Sequence, residues 1–361
     1  MKNNVLNAAV IGCGRIAGHH CRSINLIDGA NTIAVSDLDF QKAKKFHDEL
    51  GVEPYDNYHK MLAEHPEVNT VAIVTPSGMH FEHAAEIITR YQKNIIVEKP
   101  TFMRPSQVEE IYRLAAQNDV HVFPVFQNRY NRAVERVHQG LLNNELGEIR
   151  TVAVRVRWCR PQRYYDLAPW RGTFAMDGGA LTNQGIHHLD LMRKLGGEIR
   201  RVCSAHKTFG AEIEVEDTAT AVVEFESGAI GVVEVTTAAR PDDYEASLSL
   251  VCEKGLAQIG GIAVNELQTY TPDPEACNVH SENFDGNVYG HGHTKMYQQI
   301  TDFLSNGGKP PVSFEDTLAS IQLLNAFYVS DEVGGWTTVS IAGDSERLGQ
   351  KDTELAALYT T

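Results

Sequence analysis

The chain has 361 residues, a length that predicts two domains rather than a single core. Its hydrophobic fraction of 42% is ordinary for a globular protein. Its net charge of −15 argues against nucleic acid as a main partner, because phosphate binding requires a basic surface.

Cysteine usage and the N-terminus indicate a cytoplasmic protein. The cysteines are scattered and form no C-x-x-C pair, which favours reduced thiols over disulfides or a zinc site: Cys13, Cys21, Cys159, Cys203, Cys252 and Cys277. The first residues lead directly into a strand pattern without a signal peptide. No apolar run approaches the ~20 residues that span a bilayer, so no membrane association is predicted.

The first predicted elements form a dinucleotide-binding motif. A buried strand over 8–12 runs into a G-x-G-x-x-A loop that opens a helix, with Gly12, Gly14, Arg15 and Ile16 in the loop. The free N–H groups of such a helix bind phosphate. A second strand ends at Asp37, whose carboxylate would accept the ribose hydroxyls and repel a 2′-phosphate. The predicted cofactor is therefore NAD rather than NADP.

Strand and helix patterns then alternate as far as Val125, which predicts a doubly wound parallel sheet. Helices are predicted over 40–50, 57–64, 80–91 and 106–118, and strands over 70–75, 95–98 and 121–125. Ligands of such sheets bind beyond the C-terminal ends of the strands. The candidates at that edge are Thr75, Pro76, Ser77, His80, Glu98, Lys99, Pro100 and Gln127.

The Glu98-Lys99-Pro100 triplet is the most informative part of this edge. Pro100 fixes the backbone, and the bond before it is a candidate for the cis form. An ammonium group at the end of a buried strand can stabilise a developing alkoxide and depress the pKa of a nearby imidazole. The simpler alternative is an exposed lysine at a strand end.

The pattern changes after Val125. A helix over 132–144 is followed by a strand over 149–158 that alternates with period two, and by hairpins around Ser227-Gly228 and Glu253-Lys254-Gly255. These elements predict an α+β domain built on an antiparallel sheet, whose faces are plausible oligomer surfaces. The predicted domains are residues 1–126 and 127–361.

A loop with arginines and aromatic residues follows the strand over 149–158. It contains Arg160, Arg163 and Tyr164, and continues into Trp170 and Arg171. Guanidinium groups bind carboxylates and phosphates in bidentate fashion, so this loop is a candidate anion site. The alternative is a solvated basic loop.

The stretch 177–190, D-G-G-A-L-T-N-Q-G-I-H-H-L-D, carries the strongest candidate for chemistry. The glycines predict a turn, and a helix follows on which Asn183, His187 and Asp190 share one face. Such a trio could orient a substrate, exchange a proton and hold the imidazole in place. The alternative is a polar face that meets solvent or a neighbouring loop.

Two features remain near the C-terminus. Ser313-Phe314-Glu315-Asp316 resembles a capping box that opens a helix through about Glu332. His291 and His293 could be a metal pair, but no carboxylate or cysteine stands beside them at ligand spacing. A loop contact is preferred, and no metal is predicted.

The glycine loop, the Glu98-Lys99-Pro100 triplet and the G-G-x-x-x-N-x-G-x-H-x-x-D run occur in this order over most of the chain. The combination resembles the glucose–fructose oxidoreductase/inositol dehydrogenase (Gfo/Idh/MocA) family. The resemblance implies an N-terminal Rossmann domain, a C-terminal sheet domain that forms dimers or tetramers, and Lys99 with His187 as the catalytic pair. The family's usual run has Asp where this chain has Asn183, and because an amide is not a base, that role falls to His187.

Residues 155–190 more narrowly resemble the nucleotide-sugar 3-dehydrogenases of O-antigen biosynthesis, which oxidise UDP-N-acetylglucosaminuronic acid to its 3-keto form. Some of these enzymes keep NAD(H) bound and recycle it with 2-oxoglutarate. The resemblance implies that cofactor is held by Gly12, Gly14, Arg15, Ile16, Asp37, Thr75, Pro76, His80, Glu98, Lys99, Gln127, Trp170 and Arg171. It implies that substrate is held by Lys99, Arg160, Arg163, Tyr164, Asn183 and His187.

Three alternatives stay open from the sequence. The substrate could be UDP-N-acetylglucosamine itself, or it could be a free sugar or polyol. The chain could also be a non-catalytic NAD-binding regulator on the same fold, although a regulator does not need paired Lys99 and His187.

Overall fold

The computed structural model describes residues 5–284 and 289–360. Their contacts divide them into two compact units. The first comprises the residues up to Val125, His293–Leu318 and those from Lys351 onward, and the second comprises Phe126–Gly292 and Ala319–Gln350. This division differs from the single boundary predicted at 126/127, because two late segments group with the N-terminal part and no local pattern signals their return.

The sheet of the first unit is parallel and has the order β3-β2-β1-β4-β5-β6. Its strands are β1 (Leu6–Ile11), β2 (Ala30–Ser36), β3 (Glu53–Tyr55), β4 (Thr70–Ile73), β5 (Asn94–Val97) and β6 (Val122–Pro124). Val10, Ile73 and Ile96 are fully buried, as expected for strands covered on both faces. The strand order reverses between β1 and β4, so the ligand crevice of this Rossmann sheet is expected beyond their C-terminal ends.

The sheet of the second unit is mostly antiparallel and has the order β13-β12-β11-β7-β10-β9-β8-β14. Its strands are β7 (Ile149–Arg157), β8 (Ile199–Lys207), β9 (Thr218–Phe225), β10 (Ile230–Thr236), β11 (Glu245–Cys252), β12 (Leu256–Gly260), β13 (Glu266–Tyr270) and β14 (Thr337–Thr338). Strands β7 and β10 pair in parallel, so the sheet is mixed rather than purely antiparallel. The predicted combination of an α/β unit with a mostly antiparallel α+β unit is confirmed.

The helices over 40–50, 58–64, 105–117, 132–142 and 314–333 lie close to predicted positions, the α-helix predicted over 80–91 ends at Glu86, and those over 162–165, 276–280, 292–306 and 353–357 were not predicted. In chain order the helices are α1 (Ala17–Asn25), α2 (Phe40–Leu50), α3 (Tyr58–Glu64), α4 (His80–Glu86), α5 (Pro105–Gln117), α6 (Arg132–Leu142), α7 (Gln162–Tyr165), α8 (Ile186–Gly196), α9 (Ala276–His280), α10 (Gly292–Asn306), α11 (Phe314–Val333) and α12 (Thr353–Ala357). Helix α2 has the predicted bounds because Asp39 caps its first turn and Gly51, at φ 71°, ends it. Ser313 Oγ accepts the Asp316 N–H at 3.2 Å, as the capping box before α11 requires.

Two further expectations concern the cysteines and the membrane. All the cysteines are free thiols, which agrees with the sequence prediction. Among the described helices, none is both long enough and apolar enough to cross a membrane. The cytoplasmic location stays a prediction.

Candidate functional site

The glycine loop of the first unit has the geometry of a dinucleotide site. Gly12 has φ +91°, and a Cβ there would lie 2.6 Å from the Val74 carbonyl oxygen, so only glycine fits. A Cβ on Gly14 would meet nothing within 4 Å, which leaves its backbone open to a pyrophosphate. Arg15 is exposed, and Ile16 immediately precedes α1.

Asp37 lies at the end of β2, where a ribose-binding carboxylate is expected. Its Oδ2 accepts the Cys13 N–H at 2.8 Å, and its Oδ1 accepts the Asp39 N–H at 2.9 Å. These bonds fix the carboxylate beside the glycine loop while each oxygen keeps acceptor capacity. The backbone at Gly14, the N-terminus of α1 and the Asp37 carboxylate therefore fit a bound NAD.

His80 joins the ends of two strands at the ligand edge of the first unit. Its Nδ1 lies 2.9 Å from the Pro100 carbonyl oxygen, and its Nε2 lies 3.0 Å from that of Thr75. The Lys99–Pro100 bond is cis. Because His80 is buried and both ring nitrogens face carbonyl oxygens, its side chain positions this edge and is not presented to a ligand. Its predicted cofactor contact is therefore not one its imidazole makes directly.

Glu98 and Lys99 follow β5 directly. The Glu98 carboxylate is buried and receives the Lys99 backbone N–H on Oε2 at 3.0 Å and His20 Nε2 on Oε1 at 2.9 Å. Lys99 is half-buried. Within the triplet, therefore, the Glu98 side chain is buried in the interior and the Lys99 side chain is partly exposed.

The turn at residues 177–179, which precedes α8, requires glycine at positions 178 and 179. Gly178 has φ +66°, and a Cβ on Gly179 would lie 2.0 Å from the Glu216 carboxyl group. Asp177 Oδ2 accepts the Gly172 N–H at 2.8 Å, and Asp177 also accepts a hydrogen bond from the Asn183 amide. The turn therefore packs against a buried carboxyl and fixes Asn183.

The helix itself begins with a π-helical turn over Leu181–Gly185 before α8 starts. Asn183 lies in that turn, so the simple i, i+4, i+7 spacing that predicts one shared face does not describe the trio. The Asn183 amide contacts Asp177 and Gln184.

His187 is half-buried on α8, and its Nε2 lies 3.0 Å from Gln127 Nε2. An amide nitrogen only donates, so the imidazole nitrogen facing it is the acceptor, which places the proton of the neutral ring on Nδ1. The lone pair of Nε2 accepts the Gln127 N–H, so a substrate hydroxyl that gives its proton to Nε2 has to replace that contact. Gln127, predicted as a cofactor residue, belongs to the second unit and orients this imidazole.

Asp190 does not hold His187 in place, contrary to the prediction. It forms a buried ion pair with Arg129, whose Nε donates to Oδ2 at 2.7 Å, and Ser320 Oγ donates to Oδ1 at 2.9 Å. Burial alone raises the pKa of Asp190, but the Arg129 charge outweighs it and holds the pKa below its usual range. Asp190 is thus a buried carboxylate with a structural role, bound by Arg129 and Ser320, both of which are distant in sequence.

The adjacent His188 is buried, and its ring packs edge-on against Trp158 at a centroid distance of 6.1 Å. Burial lowers the pKa of His188 to about 4, so the imidazole is neutral at physiological pH. Of the two neighbouring histidines, His187 is the one with partial exposure.

The arginines of the predicted anion loop have different surroundings. Arg160 Nη1 donates to Asp243 Oδ1 at 2.8 Å, so its charge is already compensated. Arg171 Nη1 donates to the Tyr164 hydroxyl at 2.7 Å, and its guanidinium lies 4.4 Å from the Trp170 ring centre. Arg163 is exposed on α7. Arg163 is therefore the arginine of this loop best placed to receive an anion.

His291 and His293, for which a loop contact is predicted rather than a metal site, have different surroundings. His291 is exposed and its ring contacts Phe284, whereas His293 is buried with its Nε2 3.6 Å from Glu98 Oε1. The carboxylate that seemed missing near His293 is thus supplied from 195 positions earlier in the chain, where no sequence spacing could indicate it.

Two family models match the chain. The model described as "Oxidoreductase family, NAD-binding Rossmann fold" matches residues 6–126, and that described as "GFO/IDH/MocA C-terminal domain" matches residues 134–258. Together with the glycine loop and Asp37, the first match identifies the N-terminal part of the chain as an NAD-binding Rossmann fold.

Solved structures give the most extensive likeness. The WlbA dehydrogenase from Bordetella pertussis, in complex with NADH and UDP-GlcNAcA, is 30% identical with a TM-score of 0.86, covering 94% of this chain and 99% of that chain. The WlbA dehydrogenase from Chromobacterium violaceum, with the same two ligands, is 32% identical with a TM-score of 0.84, covering 94% and 97%. Myo-inositol 2-dehydrogenase from Thermotoga maritima is 26% identical over 63% of this chain and 68% of its own length.

Proposed function

Because the chain belongs to the Gfo/Idh/MocA family of NAD-dependent oxidoreductases, we propose that it oxidises the C3 hydroxyl of a UDP-sugar. The proposed substrate is UDP-N-acetylglucosaminuronic acid, the product is its 3-keto form, and the setting is O-antigen biosynthesis. The observation that carries the proposal is the likeness, over nearly the whole chain, to two dehydrogenases that bind NADH and UDP-GlcNAcA.

The proposed chemistry assigns a role to each candidate residue, following the family resemblance. When bound, NAD supplies the hydride acceptor for the sugar carbon. His187 Nε2 takes the hydroxyl proton after the substrate hydroxyl replaces the Gln127 amide at that nitrogen. The Lys99 ammonium stabilises the negative charge that develops on the same oxygen. The Asn183 amide, fixed by Asp177, orients the sugar.

The substrate is tested by measuring NAD reduction by the purified protein with UDP-GlcNAcA, UDP-GlcNAc, myo-inositol and free sugars. We expect UDP-GlcNAcA to give the highest kcat/KM. The relative that acts on myo-inositol makes a free polyol the second candidate, and a higher kcat/KM on myo-inositol would replace the first proposal by it. Adding 2-oxoglutarate tests whether bound NADH is recycled, as proposed from the resemblance.

Arg163 is proposed to bind the uronate carboxylate. A charge-assisted hydrogen bond contributes about 1.5–3 kcal/mol, so Arg163→Ala should raise KM for UDP-GlcNAcA by about one to two decades. The neutral UDP-GlcNAc lacks the carboxylate and should lose less. The comparison of KM values for the two substrates checks this.

Arg160→Ala is the matched control, because Asp243 already compensates the Arg160 charge. It should affect both substrates weakly. Equal losses of Arg163→Ala on both substrates would assign Arg163 to the pyrophosphate instead. No loss on either would remove α7 from the site.

We also propose that the chain forms a dimer or tetramer through its large sheet. Val222 and Val232 face each other across β9 and β10 and are 45% and 48% exposed. Ile230 and Val251, both opposite Thr151 on β7, extend the same apolar face and are also exposed. Such a patch is typical of a surface covered by a second copy. Light scattering of the wild type should give a mass at least twice that of one chain. Val232→Lys should reduce the measured mass. A monomeric wild type would contradict the proposal.

A further inference from the structure

A buried cluster in the first unit surrounds the carboxylate of Glu98. We define it as the Glu98 cluster: Glu98, His20, His293 and Tyr297. His20 lies on α1, the helix that follows the glycine loop, and His293 and Tyr297 lie on α10. All four side chains are buried.

The hydrogen bonds of the cluster have a defined direction. Tyr297 Oη lies 2.6 Å from His20 Nδ1, and burial raises the pKa of Tyr297 well above its usual range, so the tyrosine keeps its proton and donates it. A His20 ring that accepts from Tyr297 on Nδ1 carries its proton on Nε2, which donates to Glu98 Oε1 at 2.9 Å. Tyrosine, histidine and glutamate thus form a one-way chain that ends on the carboxylate.

The cluster keeps Glu98 ionised in the interior. Burial raises the pKa of Glu98, but the contacts of its carboxylate, first among them the hydrogen bond with His20, outweigh burial and hold the pKa well below its usual range. His293 Nε2 lies 3.6 Å from Oε1, beyond hydrogen-bond distance, and burial lowers the pKa of His293, so its ring packs beside the carboxylate as a second, weaker polar contact. A buried carboxylate with these partners has one orientation, because turning it would leave a charge unpaired.

The second oxygen of that carboxylate reaches Lys99. Glu98 Oε2 accepts the Lys99 backbone N–H at 3.0 Å. The carboxylate therefore connects two helices to the backbone from which the Lys99 side chain begins. One of those helices, α1, opens at the cofactor loop.

We propose that the Glu98 cluster is a positioning device for Lys99. His20 and His293 fix the Glu98 carboxylate, which fixes the Lys99 backbone and so the place of the ammonium. The Glu98 side chain is committed to this anchoring and is not a cofactor ligand. The proposal rests on the role proposed above for Lys99.

A metal ion is the competing interpretation, since two imidazoles and a carboxylate offer ligand atoms within 4.8 Å of one another. The 2.9 Å separation between His20 Nε2 and Glu98 Oε1 favours a hydrogen bond, because tetrahedral ligands of zinc lie farther apart at Zn–N and Zn–O distances of about 2.0–2.2 Å. The carboxylate is also already bonded on both oxygens.

The test compares His20→Leu and His293→Leu with His20→Gln and His293→Gln. Glutamine keeps a donor close to the position of Nε2, and leucine keeps only volume. We expect the leucine variants to lower kcat about ten- to hundredfold, since small misplacements of a reacting group have effects of this size, with KM for NAD little changed. The glutamine variants should recover most of the loss.

A second readout does not depend on turnover. Lys99 in the protein without substrate is labelled with an amine-reactive ester and quantified by mass spectrometry. Its labelling rate should rise severalfold in the leucine variants and stay near wild type in the glutamine variants. His206→Leu, which removes a buried histidine from β8 in the second unit, controls for general loosening and should leave Lys99 labelling unchanged.

The outcomes separate the two proposals. Folded leucine variants with wild-type kcat and wild-type labelling would overturn the positioning role, as would stoichiometric zinc in the protein as purified. If Lys99→Met retains full turnover, the proposed role of Lys99 fails. If Lys99→Met is inactive while the leucine variants behave as wild type, the positioning role alone fails.

Discussion

Replacing His187 by asparagine should lower kcat by about 10²–10⁴, the usual contribution of a general base, with NAD affinity nearly unchanged. The expectation follows from the contact with Gln127, which identifies His187 Nε2 as the acceptor nitrogen that the substrate hydroxyl would meet in place of the amide. Asparagine keeps polarity at this point of α8 but is not basic at any physiological pH. Steady-state kinetics with UDP-GlcNAcA and titration of NAD by fluorescence separate the two effects.

Gln127→Leu is the companion variant. It removes the donor that orients the imidazole and leaves the imidazole itself, so its loss in kcat should be smaller than that of His187→Asn. His188→Asn would not test the general base, because His188 is buried against Trp158 and its replacement mainly changes packing. Near wild-type turnover in His187→Asn would move the base to another residue, with Tyr164 the next to test.

The fold was largely predictable because periodicity and capping are local. Helix α2 was predicted residue for residue, and Asp39 and Gly51 are local signals at its two ends. Strand β9 was predicted from the hairpin around Ser227-Gly228. Strand β8 was missed because its buried face includes the polar residues Ser204 and His206. The alternation of apolar and polar residues that predicts a half-buried strand is therefore interrupted. Helix α10 follows a Gly-His run that has no clear start signal.

The candidate site was predictable only in its local parts. The glycine loop, Asp37 and the Glu98-Lys99-Pro100 triplet are contiguous patterns, and the structure gives them the expected geometry at the sheet edge. The partners of the site residues come from far along the chain: Gln127 meets His187 across 60 positions and Arg129 meets Asp190 across 61. A single sequence carries no signal for such pairs.

Glu216 is the clearest residue that sequence reasoning missed. It precedes β9 in an ordinary Val-Glu-Asp run, yet its carboxyl group is buried against Gly179. Its Oε1 accepts from the Tyr328 hydroxyl at 2.8 Å and from the Leu181 N–H at 3.1 Å. The Tyr328 oxygen in turn accepts the Gly179 N–H at 3.1 Å and lies 2.7 Å from Thr182 Oγ1. This arrangement anchors the turn from which the His187 helix begins.

Because the pKa of Glu216 is raised in the folded protein, the free energy of unfolding should decrease as pH rises. Burial raises the pKa of Glu216 from 4.5 to about 7, although hydrogen bonds from Tyr328 and Leu181 oppose it. A raised carboxyl pKa stabilises the folded state fully below pH 4.5, and that contribution is lost as pH increases toward 7. The shift corresponds to about 3 kcal/mol, since each pKa unit is worth about 1.4 kcal/mol.

Glu216→Gln should remove this pH dependence, because glutamine has similar shape and does not ionise. Urea unfolding at pH 5.5 and pH 8 measures it: the wild type should lose free energy of unfolding between these values, and the variant should lose less by about 1–2 kcal/mol, the part of the shift that falls in this window. Tyr328→Phe is the matched control, since it removes one hydrogen bond to the carboxyl but leaves the titrating group, so the pH dependence should persist. Equal pH dependence in the wild type and Glu216→Gln would show that Glu216 does not titrate in this range, and its carboxyl would then anchor the turn before the His187 helix through the Tyr328 and Leu181 hydrogen bonds without making stability depend on pH.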